Sequence, residues 1–193
     1  MRFTRTAFIT ALALLLLTTL MAQAQTPDPK VQHFNKDGLV FDYPNGWTVS
    51  DESTKDAQQL TLGRSDSEAQ IRLFVHRGKV DTPEKMAQAK KAFIDPYVAS
   101  VNNIFVQMGA KPEQTTASTQ VGTAAAEGVR VRASLSGEPG EATICWLTVG
   151  KRVVVLTFFG PDKALKKAAP AWDTLRNSLH VEVPKPPQKT APK

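Results

Sequence analysis

The sequence predicts an α+β fold built on an antiparallel sheet. Segments in which apolar and polar residues alternate, which is the period of a β-strand, occur in two groups along the chain. Each group is followed by one segment with helical spacing, so the order is strands, helix, strands, helix. Few helices and long hairpins are typical of an α+β fold rather than of repeated βαβ units.

The first group of strands starts with the stretch "GLVFDYPNGWTV", residues 38–49. The Pro-Asn-Gly triplet at 44–46 predicts a tight turn, because proline fixes φ and Asn-Gly accepts positive φ. We therefore interpret the stretch as strand, turn, strand, a corner of the sheet in which Tyr43 and Trp47 pack rather than bind a ligand. Two further strands are predicted over Gln58–Gly63 and Ala69–Arg77.

The first helical segment is predicted to begin at Pro83, with Asp81 or Thr82 as its cap, and to end at Gly109. We expect Pro96 to kink the helix or split it in two, with Asp95 capping the second half. An apolar stripe recurs at threes and fours. Such a helix could bind a membrane or a partner, but its polar side is mixed in charge and rich in Gln and Asn, so we expect it to pack on the sheet. The stripe is Met86, Ala89, Phe93, Tyr97, Val101, Ile104, Phe105 and Met108.

The second group of strands contains a weak strand before a turn near Gly122, and then the alternating segment Val129–Leu135. Two long strands follow, joined by Gly150-Lys151; both are apolar on both faces, which predicts central strands. The last helix begins near Asp162, its expected cap, and Pro170 is expected to split it into two short helices. Its predicted buried stripe is Leu165, Ala168, Ala169, Trp172, Leu175 and Leu179.

The two ends of the chain predict export. Residues 1–24 have a basic start, an apolar stretch and small residues around a cleavage point after Ala24, the layout of a secretory signal peptide. We expect a spacer over 25–33, one domain over 34–183, and a Pro- and Lys-rich extended tail over 184–193. No cysteine stands at the cut, so no lipid anchor and no stable membrane anchor are expected after cleavage. A periplasmic or extracellular location follows from this prediction.

Charge and cysteine content narrow the classes of function. The chain carries 24 Lys and Arg and 18 Asp and Glu, a net charge of +6. Five of the cations lie in residues 1–24 and 184–193, which leaves 19 against 18 and a nearly neutral domain. A nucleic-acid partner is not expected, because such proteins concentrate basic charge on one face. A single cysteine, Cys145, excludes an internal disulfide.

Two stretches resemble the PsbP-like superfamily, which includes the extrinsic photosystem II subunit and DcrB-like lipoproteins. The first is "DGLVFDYPNGWTV", and the second is "VGKRVVVLTFFGP" followed by "AWDTLRNSLHV". The resemblance covers residues 34–183 and implies an α/β/α sandwich, a central antiparallel sheet of about six to seven strands with helices on both faces. It implies binding and assembly roles; the sequence has neither a lipobox nor a family metal cluster.

The residues that could carry chemistry are few and scattered. His33, His76 and His180 lie in separate predicted elements, without the spacing of metal ligands. Cys145 lies in a predicted buried strand and is interpreted as a core residue rather than a nucleophile. Asp51 and Glu52 are expected in an exposed turn. We assign no catalytic, cofactor-binding or metal-binding residue, and no binding residue or oligomeric state follows from the sequence.

Three hypotheses of function remain. The first is an exported non-catalytic binding or assembly protein whose partner is another envelope protein, bound through a sheet edge or a helix surface. The second is an enzyme whose site is built from scattered polar residues such as His76, Arg130 and Arg132. The third is attachment to anionic envelope polymers through the basic tail.

Overall fold

The computed structural model describes residues 31–182. These residues form ten strands and three α-helices, with one π-helical turn. The strands are β1 (Val31–Lys36), β2 (Leu39–Pro44), β3 (Thr48–Asp51), β4 (Ala57–Gly63), β5 (Gln70–His76), β6 (Glu113–Val121), β7 (Ala124–Leu135), β8 (Glu138–Val149), β9 (Arg152–Pro161) and β10 (His180–Val181). The helices are α1 (Pro83–Ala89), α2 (Asp95–Gln107) and α3 (Asp162–Ser178), with the π-helical turn Lys90–Ile94 between α1 and α2.

Seven strands form an antiparallel sheet, the main sheet, in the order β3-β4-β5-β9-β8-β7-β6. Strand β9 is its centre, and the residues from Val153 to Phe158 are all buried. Gly150 and Lys151, both at positive φ, form the tight turn between β8 and β9. The prediction of two central strands joined at this point is confirmed, because only a strand covered on both faces can be apolar throughout.

The corner predicted at residues 44–46 joins two different sheets. Strand β2 pairs with β1 and β10 in a small three-stranded sheet, whereas β3 begins the main sheet. Gly46 has a φ of +84°, and the N–H of Trp47 donates to the Pro44 carbonyl at 3.3 Å. Trp47 is buried in the core, so its role is packing, as the sequence predicted.

The small sheet and α3 cover one face of the main sheet, here called the α3 face. Their apolar side chains share one core cluster, in which Phe158 and Trp172 stack with ring centroids 5.3 Å apart.

The prediction that Pro170 splits the last helix is wrong: α3 is continuous. Pro170 is exposed and Trp172 is buried, so water can bind the carbonyl that the proline frees while packing holds the helix together. Asp162 starts the helix rather than capping it.

The run from α1 to α2 covers the opposite face, here called the α2 face. Thr82 caps α1 by accepting from the Lys85 N–H, as predicted. The expected break at Pro96 is replaced by the π-helical turn, in which the Asp95 N–H donates to the Lys90 carbonyl five residues back. Pro96, which has no N–H, follows directly, and the widened turn accommodates it. Asp95 pairs with the Lys90 side chain and does not cap a second helix.

The observed architecture confirms the predicted α+β fold, an antiparallel sheet with helices on both faces. Two strands differ from expectation: β1 begins at Val31, before the domain start expected at Phe34, and β6 is a full nine-residue strand. No helix within 31–182 is long and apolar enough to cross a bilayer. The predicted signal peptide, the tail over 184–193 and most of the expected spacer lie outside the described residues.

Candidate functional site

Helix α2 lies on the main sheet without burying any of its residues. In α3, by contrast, Ala168, Ala171, Trp172 and Leu175 are all buried. A helix normally fills the space between itself and a sheet with its apolar stripe. On α2 this happens only in the first half, where Tyr97, Val98 and Val101 pack against the second core cluster. The other half of the predicted stripe is left largely uncovered.

This loose packing leaves two cavities under the helices of the α2 face, one beside the π-helical turn and one beside α2. The first, the Phe93 cleft, has a volume of about 640 Å³ and lies between Phe93 and strands β4 and β5. The second, the Met108 cleft, has a volume of about 430 Å³ and lies under the C-terminal half of α2. Apolar side chains that line the Met108 cleft are Val101, Ile104 and Phe105 from α2, Met108 at the C-cap of α2, and Ala133, Leu135, Ala142 and Phe159 from the sheet.

The two clefts meet at Arg72, Tyr97 and Thr157, which line both of them. Thr157 is one of the few buried polar side chains in residues 31–182, at 3 % exposure, and its hydroxyl lies 3.1 Å from the Tyr97 hydroxyl. This hydrogen bond joins α2 to the central strand β9. It lies near the N-terminal end of α2, in the half of the helix that packs on the sheet.

Arg72 places a positive charge at the junction of the clefts. Its guanidinium lies over the Phe159 ring at 4.8 Å from the centroid, a cation–π contact, and its only polar contact within 31–182 is a long one to Gln70, at 3.5 Å. It forms no ion pair within the described part of the chain. The rim nearby includes Glu68 and Glu138, so the entrance to the Met108 cleft carries both signs of charge.

The outer side of the Met108 cleft is unusually apolar for a surface. Ile104 and Met108 are 51 % and 60 % exposed while they also line the cleft. Val106, at 56 % exposure, stands on the same helix but does not line the cleft. Adjacent exposed apolar side chains beside a concave apolar wall are typical of an interaction site.

Cys145 is buried on the α3 face, at 1 % exposure, as the sequence predicted. Burial raises the pKa of its thiol to about 12, so the reactive thiolate is strongly disfavoured. The cysteine also lies on the face of the sheet opposite to both clefts, because its neighbour Trp146 packs on the α2 face.

The residues of the enzyme hypothesis do not converge. His76 lies on the α2 face, where its ring packs against Phe93 at 4.7 Å between centroids. Arg130 and Arg132 pair with Glu141, and Arg132 also pairs with Asp162 at the start of α3, so both arginines lie on the α3 face. The main sheet therefore separates the histidine from the two arginines.

The remaining sequence candidates lie at the surface. His33 is 2.7 Å from Asp42, and His180 contacts the Ser178 carbonyl at 2.9 Å. Asp51 pairs with Lys36 at 2.7 Å, and this ion pair joins the small sheet to the main sheet. Residues 31–182 contain no group of three or more His, Cys, Asp or Glu side chains placed to hold a metal ion.

Sequence reasoning missed the clefts, although it found the stripe that borders them. Helical spacing identifies which residues share a face, but it does not say how far a partner surface extends under that face. Two signals in the stripe were available: its C-terminal half has large side chains only, and no alanine that would allow close approach to a sheet. Neither is specific enough to predict a cavity.

Comparisons with known proteins concern the fold. No protein-family model and no curated protein matches the sequence. The similar solved structures include a protein from Bacteroides thetaiotaomicron VPI-5482, with a TM-score of 0.51 and 12 % identity over 79 % of this chain. The chain spans about half of that protein, 48 % of its length.

Two others are a cyanobacterial PsbP from Synechocystis sp. PCC 6803 and LpqN, a protein involved in cell envelope biogenesis of Mycobacterium tuberculosis. The TM-scores are 0.49 and 0.43, and the identities are 11 % and 13 %. The matches cover 85 % and 81 % of this chain, and 99 % and 94 % of the other proteins. The antiparallel sheet between helices that the PsbP-like resemblance implies is the one observed.

Proposed function

We propose that the chain is an exported, non-catalytic binding protein of the cell envelope, and that it holds an apolar segment of a protein partner in the Met108 cleft. The proposal combines the signal peptide predicted over residues 1–24 with the Met108 cleft, a concave and largely apolar surface within 31–182. The single observation that carries it is that α2 buries none of its residues and leaves Ile104 and Met108 half exposed beside the cleft.

Apolar contact would supply most of the affinity. Covering apolar surface contributes roughly 25 cal/mol per Å² removed from water, and side chains that enter a concave apolar wall remove more of it than flat contacts do. Ile104 and Met108 form one side of the contact, with Phe159 and Leu135 behind them. Methionine suits this role because its flexible thioether adapts to a partner's shape.

Arg72 would fix the orientation of the bound segment in the cleft. It lines the Met108 cleft at its junction with the Phe93 cleft, and it has no acidic partner among residues 31–182. A carboxylate of the bound segment can therefore pair with it, in a site where the Phe159 ring already holds the guanidinium. We expect the bound segment to be apolar, with one acidic residue that reaches Arg72.

The experiment places a photo-crosslinking amino acid at Met108 and irradiates intact cells. The expected result is one crosslinked protein adduct. Ile104→Asp in the same chain should abolish the adduct, because it puts a charge in the apolar contact. Val106→Asp is the matched control: it adds the same charge to an equally exposed position of the same helix, outside the cleft, and should leave the adduct unchanged.

Three results would contradict the proposal. One is an adduct that persists with Ile104→Asp, and another is an adduct that both variants reduce equally. The third is the absence of any protein adduct, including the case in which only lipid is captured. Thermal unfolding of both purified variants checks that each is folded; substitutions at such exposed positions usually change stability by less than about 0.5 kcal/mol.

A further inference from the structure

The main sheet ends in a long, open edge strand, β6. It has nine residues, of which all but Ala117, Thr119 and Val121 are exposed, and within 31–182 no strand pairs with its outer side. The other edge strand, β3, has only four residues. Proteins usually protect an edge with a short strand, lysine, proline within the strand or a bulge, because its unpaired N–H and C=O groups bind other strands. Strand β6 has none of these, and its single charge is Glu113.

The turn between β6 and β7 fixes which backbone groups face outward. Val121 pairs with Ala124 across the two-residue turn Gly122-Thr123, so these two residues exchange hydrogen bonds. Because bonding alternates along an antiparallel pair, the odd-numbered residues of β6 bond to β7. The even-numbered residues, Gln114, Thr116, Ser118 and Gln120, present their N–H and C=O groups to the outside.

At both ends of β6, these outward-facing backbone groups are blocked or missing. At one end Arg176 of α3 donates to the Gln120 carbonyl at 2.9 Å, and its own carbonyl accepts from the Gly122 N–H at 2.7 Å. At the other end stands Pro112, which has no N–H. Three residues with open backbone groups remain, Gln114, Thr116 and Ser118, and they are symmetric about Thr116.

We propose that β6 pairs with β6 of a second copy of the chain, antiparallel, with Thr116 on the two-fold axis. Thr116 then faces Thr116 of the other copy, and Gln114 faces Ser118 on each side. These are three hydrogen-bonded pairs with two bonds each, about six bonds between the copies. The two main sheets become one continuous sheet through an isologous contact, the commonest kind in soluble oligomers.

The side chains of β6 fit a second copy. Of the side chains that would face each other only Glu113 is charged, and the Thr116-Thr116 pair across the two strands is favourable. In this register Glu113 faces Thr119 rather than the other Glu113, so no like charges oppose each other. Strand β6 contributes no residue to the Met108 cleft, so the two proposals rest on different residues. The inference is thus independent of the proposed function.

The test is sedimentation velocity on the mature protein from about 5 to 500 µM, the range expected for an interface that lies at the small end of the size classes. The wild-type chain should show a monomer–dimer equilibrium. Thr116→Lys and Thr116→Glu should each weaken it by roughly three- to tenfold, because like charges meet on the two-fold axis. An equimolar mixture of the two variants should restore dimers of mixed composition.

Two further variants sharpen the test. Thr116→Pro removes both central N–H donors and should weaken the dimer by about tenfold or more, while an outward-facing position on an edge strand tolerates proline in the monomer. Thr48→Lys places the same charge on the other edge strand, β3, where Thr48 is also exposed, and should leave the dimer unchanged.

The inference fails if the wild-type chain stays monomeric over the whole range. It fails equally if Thr116→Pro leaves the dimer intact, or if mixing the Lys and Glu variants restores nothing. Capture of a strand from a different protein on β6 of a monomeric chain would also refute it. Circular dichroism of each variant confirms that the monomer is folded before the comparison is made.

Discussion

The hydrogen bond between Tyr97 and Thr157 gives a sharp prediction about how α2 is attached to the sheet. Tyr97→Phe removes one hydroxyl and leaves the Thr157 hydroxyl, in a residue only 3 % exposed, without its partner. A net hydrogen bond contributes about 1 kcal/mol, and an unsatisfied buried group costs about 1–3 kcal/mol. At 3.1 Å the bond is longer than is usual between hydroxyls, so we expect the lower part of this range, about 1–2 kcal/mol.

The reverse change should cost less. Thr157→Val leaves a hydroxyl on Tyr97, which is only half buried, whereas Thr157 is 3 % exposed, so water can satisfy the Tyr97 hydroxyl more easily. In the double variant neither hydroxyl remains. Its loss of stability should therefore be smaller than the sum of the two single losses, by about 1 kcal/mol.

Urea unfolding of the three variants and the wild-type chain measures these differences, and hydrogen exchange locates them. Tyr97→Phe should speed exchange of the α2 amides and leave those of α3 unchanged, because only α2 loses a tie to the sheet. A Tyr97→Phe loss below about 0.3 kcal/mol, or strictly additive losses, would show that this contact does not hold α2 in place and would refute the reasoning.

Two further predictions concern the sheet and its junction. Gly128→Ala should destabilise the fold by about 1–3 kcal/mol or more in urea unfolding, because a Cβ there would lie 2.5 Å from the Ile144 carbonyl oxygen; Gly63→Ala, with no atom within 4 Å, is the control and should change little. The hydrogen bond from Lys36 lowers the pKa of Asp51 to about 2, so their ion pair contributes stability that is complete above pH 4 and is lost as the pH falls through about 2. The Asp51→Asn variant should therefore lose less stability than the wild-type chain between pH 4 and pH 2, as measured by thermal unfolding. An equal loss in both proteins would contradict a stabilising role for the ion pair.

Much of the fold could be predicted from local patterns. The alternation in Ile71, Leu73 and Val75 predicted a strand with one apolar face. The unbroken apolar run of β9 predicted a strand that is covered on both faces. Such patterns are local because a strand's side chains alternate whatever it pairs with. The continuity of α3 through Pro170 was missed because the packing of Trp172, which outweighs the lost hydrogen bond, comes from distant parts of the chain.

The sequence by itself determined the class of fold, the burial of Cys145 and the scattering of the histidines, since each depends on residue type and on period along the chain. Only the tertiary structure decided that the sheet separates His76 from Arg130 and Arg132, that α2 stands over two clefts, and that β6 is an open edge. These features depend on the order of strands in the sheet and on the distance between layers. Both are set by contacts between residues far apart in the chain, which no local pattern records.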